Sequence, residues 1–175
     1  YYSDGQLVRQ RLATAQKGYP DLLSHVDSQG RVTLQEIASQ GRKPDKKLFL
    51  TSEGQVYRQC IDTTGNGRID TEMRVKDGSV EEALIDTTSN RVPDQREIYR
   101  AGKRVRLEAD TNGDRRPDVV QWTDENGNSF QDEDTDYDGI LDQRFQGDSQ
   151  AEIPPDSAAP PALPDLKCGP FNKFW

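Results

Sequence analysis

An aspartate pair recurs every 24 residues. Asp62, Asp86, Asp110 and Asp134 each stand eight positions before a second aspartate, at Asp70, Asp94, Asp118 and Asp142. The four stretches read Asp62-Thr-Thr-Gly-Asn-Gly-Arg-Ile-Asp70, Asp86-Thr-Thr-Ser-Asn-Arg-Val-Pro-Asp94, Asp110-Thr-Asn-Gly-Asp-Arg-Arg-Pro-Asp118 and Asp134-Thr-Asp-Tyr-Asp-Gly-Ile-Leu-Asp142. A fixed period without insertions restricts the chain to stacked copies of one small unit, because such a unit buries its apolar side only against neighbouring copies.

A second marker runs in phase with the first. Gly54, Gly78 and Gly102, with Asn126 next in the series, occur at the same interval. Glycine and asparagine accept positive φ, so each repeat carries a second tight turn opposite its acidic loop. Between turns the side chains alternate. Met73 and Val75 interleave with Glu72, Arg74 and Lys76, and Val105, Leu107 and Ala109 interleave with Arg104, Arg106 and Glu108. This is the period of a half-buried strand. Ile98-Tyr99 and Val119 to Trp122 carry it more weakly. The chain is therefore predicted to be mainly β, an antiparallel meander of 24-residue strand–acidic loop–strand–turn repeats. Four and a half repeats give about nine strands over residues 44–150, and Pro44-Asp45, in the pattern of Pro93-Asp94 and Pro117-Asp118, opens the series. A propeller fits less well, since blades of four strands would leave only about two blades. Asn128 to Glu133 is poor in strand formers, which places the fourth loop hanging at the end of the sheet.

Hydrophobic residues make up 31% of the chain, against roughly 45–50% in ordinary domains. A large dry core is excluded, and something else must hold the chain together. The net charge is -8, and it is unevenly spread. Residues 1–54 hold 6 acidic and 8 basic side chains, whereas residues 55–150 hold 22 and 13. Acidity concentrated in the repeats excludes nucleic acid as a partner, which requires a basic face. Arg100, Lys103, Arg104 and Arg106 read as a solvated strand-turn edge. No apolar run reaches the ~18–20 residues of a membrane-spanning helix. Cys60 and Cys168 are either a disulfide tying the tail to the first repeat, as in exported proteins, or two buried thiols.

The flanks read differently from the repeats. Residues 1–43 are predicted to form a small helical subdomain. Ser3 and Gln6 have capping-box spacing ahead of Leu7, Val8, Leu12 and Ala15, with Gly18 as a stop, and Pro20 opens a short helix from Asp21 to His25. Thr33 and Glu36 cap a third helix ending before Gly41. With Gly30 at position 6 of a twelve-residue calcium loop, Asp27, Gln29 and Glu36 fall at 3, 5 and 12, so this segment resembles a degenerate EF-hand; His25 stands where position 1 needs aspartate. As the only histidine, His25 also excludes catalysis by a histidine pair. Residues 151–175 form an extended Pro-rich tail outside the core, ending in an aromatic segment that either docks back or binds a partner.

Within the acidic loops, oxygen-bearing side chains at positions 1, 3, 5 and 9, a backbone carbonyl at 7 and a glycine at 6 suit a hard cation of calcium's size. The fourth loop offers Asp134, Asp136, Asp138 and Asp142 with the Ile140 carbonyl. The third offers Asp110, Asn112, Asp114 and Asp118 with that of Arg116. The first supplies Asp62, Asn66 and Asp70, and the second Asp86, Asn90 and Asp94, with threonine (Thr64, Thr88) at position 3. Carboxylates thus number 2, 2, 3 and 4 along the series, and calcium affinity should rise in that order. The alternative for each loop is an Asp/Asn/Gly turn whose side chains bond their own backbone without an ion.

These loops resemble the Asp-x-Asp/Asn-x-Asp-Gly-x-x-Asp calcium hairpins of integrin α-subunit propellers and related bacterial repeat proteins, and they look like thrombospondin type 3 repeats. The resemblance spans residues 55–148 and is complete only in the fourth loop. It implies a bound Ca²⁺ and a rigidifying role in adhesion or assembly. From this follows the expectation of a non-enzymatic, exported protein, extracellular or periplasmic, that acts on protein partners. Alternatives are an accessory subunit docked through its tail into a larger envelope complex and, less well supported, a hydrolase drawing on carboxylates such as Asp124, Glu125, Asp132 and Glu133.

Overall fold

The computed structural model describes residues 1–3, 5–14, 19–39, 43–153 and 157–171. Every regular element among them is a β-strand. Two compact units divide the chain, Tyr1–Val80 with Lys167–Trp175 and Glu81–Leu166. In the first, β1 (Tyr2–Ser3) and β2 (Gln6–Leu7) form a two-stranded ribbon. Then β3 (Arg9–Leu12), β4 (Leu22–Val26), β5 (Val32–Ile37), β6 (Lys46–Leu50), β7 (Val56–Ile61) and β8 (Thr71–Lys76) pair antiparallel in sequence order. The second unit holds most of β9 (Ser79–Ile85), followed by β10 (Gln95–Arg100), β11 (Lys103–Ala109), β12 (Val119–Thr123), β13 (Ser129–Glu133), β14 (Gln143–Gln146) and β15 (Ser149–Glu152). These too pair antiparallel in order. Strands β6 to β14 are the nine that the repeat predicts.

The tight turns fall on their glycines. Asp77-Gly78 (φ 49° and 76°) and Ala101-Gly102 (49° and 75°) have two residues in the left-handed region, the geometry that matches a right-handed strand twist. In the fourth repeat the left-handed residue is Gly127, φ 86°, rather than Asn126. The turn there closes through Gly127 N–H donating to the Asp124 carbonyl.

The N-terminal helices and the EF-hand are not formed. The segments that local spacing reads as helical fall on β1 to β5, and residues 4, 15–18 and 40–42 lie outside the described set. Helix propensity here is outweighed by the backbone ladder a neighbouring strand offers. Gly30 (φ 80°) belongs to a hairpin turn from Asp27 to Arg31, not to a cation loop. The Asp27 carboxylate accepts from the Gln29 and Arg31 amides and the Arg31 side chain. Glu36 caps nothing; it lies beside Lys47 Nζ at 3.5 Å. The fourth acidic loop does not hang free either, for β13 and β14 flank it and pair with each other.

The core is built from charge as much as from apolar surface. Across the second unit the cross-strand neighbours Leu84, Arg96, Glu108, Val120, Asp132 and Arg144 form one row on one face. Glu108, Val120 and Asp132 are buried. Arg96 and Arg106 pair with Glu108, and Arg144 Nε reaches Asp132 at 2.6 Å. The Trp122 indole donates to Asp132 as well, and its ring stacks on Phe130 at 4.4 Å. The alternation in β11 is real, but Glu108 is fully buried while Val105 and Leu107 on the other face are only half-buried. Opposite charges in register offset part of their desolvation cost by pairing, and removing one partner alone would leave a buried charge.

In the first unit the matching row is Leu23, Glu36, Lys47, Cys60 and Glu72. The tail covers it. Cys168 forms a disulfide with Cys60, and Lys47 Nζ donates to the carbonyls of Cys168, Gly169 and Pro170. Glu72 accepts from the Lys167 amide. Leu163 and Cys168 are buried, so the tail is extended as predicted but contributes to the core, contrary to the compositional reading. The terminal aromatic residues 172–175 lie outside the described set.

Candidate metal centre

Each acidic loop hangs between two strands of the meander, and the loops share one internal architecture. The first aspartate is buried in every loop and accepts from the amide at position 6. These donors are Gly67 N to Asp62, Arg91 N to Asp86, Arg115 N to Asp110 and Gly139 N to Asp134, at 2.6–2.8 Å. The last aspartate receives the amide and hydroxyl of the position-2 threonine, as Thr63 to Asp70, Thr87 to Asp94, Thr111 to Asp118 and Thr135 to Asp142. Position 9 therefore serves as the loop's own clasp. The Thr135 amide and then its hydroxyl hold the Asp142 carboxyl below its ordinary value. The stability this adds is complete above the ordinary carboxylate range and is lost as pH falls through the lowered value.

At position 5 the side chain turns back on the amide two residues ahead. Asn66 accepts from Arg68, Asn90 from Val92, Asp114 from Arg116 and Asp138 from Ile140. At position 3, Thr64 and Thr88 donate their hydroxyls to Asp62 and Asp86. With that hydroxyl turned to the first carboxylate, loops one and two close on their own hydrogen bonds. In loop three, Asn112 accepts from Asp114 N–H, and Asp110 accepts from Gly113 N–H.

The fourth loop differs. Asp134, Asp136 and Asp138 bring one carboxylate oxygen each to within 4.8 Å of one another. Asp134 is buried, while Asp136 and Asp138 are exposed. Asp136 and Asp138 each accept a backbone amide on Oδ1. Three converging hard oxygen donors fit a calcium-sized ion. Asp142, the fourth carboxylate of the sequence reading, accepts from Thr135 through Oδ2 and is outside this cluster of three. The other acidic-and-thiol cluster, Cys60, Glu72 and Cys168, is closed by the disulfide. Asp132, one of the carboxylates considered for hydrolysis, is taken up by Arg144 and Trp122, and Asp124 bonds its own turn.

Backbone strain marks the two loops that lack glycine at position 6. Position 6 has φ 85° at Gly67 and 91° at Gly139, and the same conformation is held by Arg91 (78°) and Arg115 (77°). A residue with a Cβ loses about 1–2 kcal/mol there, partly offset because glycine has more freedom in the unfolded chain. Arg91→Gly should thus raise stability by about 0.5–1 kcal/mol in chemical denaturation. A lowered denaturation midpoint would show that Arg91 makes a compensating contact.

The closing contact to the last aspartate recurs ahead of the four, around residues 15–18 and 40–42 that lie outside the described set. Asp21 accepts from the Thr14 amide and hydroxyl, and Asp45 accepts from the Ser39 amide. The signal was present: Pro20-Asp21 stands one period before Pro44-Asp45, and Gly30 one period before Gly54. No family model matches the chain, and no curated protein matches it significantly.

Proposed function

We propose that this chain is a non-enzymatic, exported calcium-binding repeat protein with a structural, adhesive or protein-interaction role, in which Ca²⁺ reinforces the fourth acidic loop. The convergence of Asp134, Asp136 and Asp138 carries this reading. Their three negative charges repel one another without a cation, so an ion held only by the folded chain adds stability. The Cys60–Cys168 disulfide supports an oxidising compartment, where calcium is also abundant. The self-closed loops support a scaffold role: they hold strand connections in place and offer no reacting group. No helix among the described residues is long and apolar enough to cross a membrane.

The test is thermal melting in calcium against chelator. At calcium a hundredfold above its dissociation constant, stability should rise by about 2.7 kcal/mol. For a chain of this size that raises Tm by roughly 5–10 °C. Identical melting curves in calcium and in chelator would remove the calcium reading.

A further inference from the structure

We propose that Cys60, Glu72 and Cys168 form a zinc site once their disulfide is reduced, so that a metal fastens the tail in reducing surroundings and a disulfide fastens it in oxidising ones. The three side chains are buried, and one donor atom of each lies within 4.8 Å of the others. The disulfide accounts for the two sulfurs but not for Glu72. Glu72 Oε2 lies 3.3 Å from Cys168 Sγ, yet a disulfide sulfur carries no hydrogen to donate. A buried carboxylate oxygen thus faces sulfur with no proton between them. A tetrahedral zinc ion holds a sulfur and an oxygen ligand about 3.6 Å apart, so the observed spacing is close to that of two ligands of one metal. The reduced sulfurs must part to about 3.8 Å, which rotation of the two side chains allows with the Cα atoms 6.0 Å apart.

The surroundings meet the other needs of such a site. Glu72 is held from behind, with Arg58 Nε 3.2 Å from Oε1 and the Lys167 amide donating to Oε2, as outer partners orient a metal-ligating carboxylate. Cys60 and Glu72 face each other across the paired strands β7 and β8, so two of the ligands stand on regular structure. Cys168 stays beside them without the covalent bond. Lys47 Nζ donates to its carbonyl, and upstream the Leu163 N–H donates to the carbonyl of Arg115 in the third loop. Reduction is a thiol–disulfide exchange. A dithiol passes two electrons to the Cys60–Cys168 bond and is left as a disulfide, its two protons go to solvent, and the two thiolates take Zn²⁺. Thiolates are soft donors, which makes zinc rather than calcium the matching ion, and a water completes four-coordination.

The test uses the full chain, reduced by a dithiol in denaturant, freed of the reductant and refolded without oxygen. It is titrated with zinc chloride and, for its visible spectrum, with cobalt chloride, in excess calcium so that the acidic loops do not contribute. One ion per chain and a thiolate-to-cobalt charge-transfer band are expected, and the oxidised chain should show no such band. Glu72→Gln should weaken zinc binding by about 10-fold or more. A reduced chain that is folded and binds neither ion overturns the inference, and so does Glu72→Gln binding as tightly as the native chain. Where reduction alone unfolds the chain, zinc should restore the native circular dichroism, because metal binding is coupled to folding; a reduced chain that zinc leaves unfolded overturns the inference as well. The titration of the unsubstituted chain decides the site even where the variant does not fold, and the calcium reading stands or falls apart from it.

Discussion

Replacing both Cys60 and Cys168 with alanine should lower the unfolding free energy by about 3–5 kcal/mol. The two residues are 108 positions apart, and a cross-link over so long a span removes a large part of the unfolded chain's freedom. Both sulfurs are buried, so the loss is not recovered by solvent. At about 2–4 °C per kcal/mol, Tm should drop by roughly 6–20 °C. Denaturant unfolding of the oxidised and the dithiol-reduced native chain reads the same quantity without any substitution. Coincident curves would mean that the tail is held by its polar contacts alone.

Lys47→Met should cost nearly as much, about 3–5 kcal/mol. Lys47 Nζ lies 3.5 Å from Glu36, whose side chain is 1% exposed, and it donates to three carbonyls of the covering tail. Taking the ammonium away removes the nearer ionic partner of a buried carboxylate that His25 Nε2 approaches only to 3.8 Å, and releases the segment above it. The double variant Lys47→Met with Glu36→Leu separates the two effects. Replacing both members of a buried pair with apolar groups is commonly neutral, so it should recover the electrostatic part and leave only the lost tail contacts. Equal unfolding of the single and double variants would show that the Glu36–Lys47 pair contributes little.

The repeat was readable because its markers are backbone requirements. Asp62 to Asp142 and Gly54 to Gly102 stand where the chain must turn, and a turn leaves the same residue in every copy. The N-terminal strands were hidden by signals of shorter range. Leu7, Val8 and Leu12 have helical spacing, and Thr33 with Glu36 has the spacing of a cap, yet each strand there gains a full ladder from its neighbour. The long-range signal, Pro20-Asp21 and Gly30 in phase with the rest, outweighed them. The charged core was hidden for another reason. Placing apolar side chains inward puts Val105 and Leu107 in the core, whereas the structure buries Glu108. Its trace in the sequence is the 12-residue interval of Arg96, Glu108, Val120, Asp132 and Arg144, where opposite charges meet across strands. In the acidic loops, spacing shows where the oxygen-bearing side chains stand but not how they are oriented. Asp142 and Asp134 look equivalent in the sequence, whereas in the structure Thr135 bonds Asp142 Oδ2 and Asp134 joins the cluster of three carboxylates. Composition made the tail extended, but its anchoring by Leu163 depends on the shape of the third loop.

Calcium stoichiometry by titration calorimetry tests the central claim most directly. The convergence of Asp134, Asp136 and Asp138 in the fourth loop alone predicts one tightly bound ion per chain, lost in Asp136→Asn with Asp138→Asn and retained in Asp62→Asn. Binding that survives the fourth-loop substitutions, or no binding at all, would contradict it.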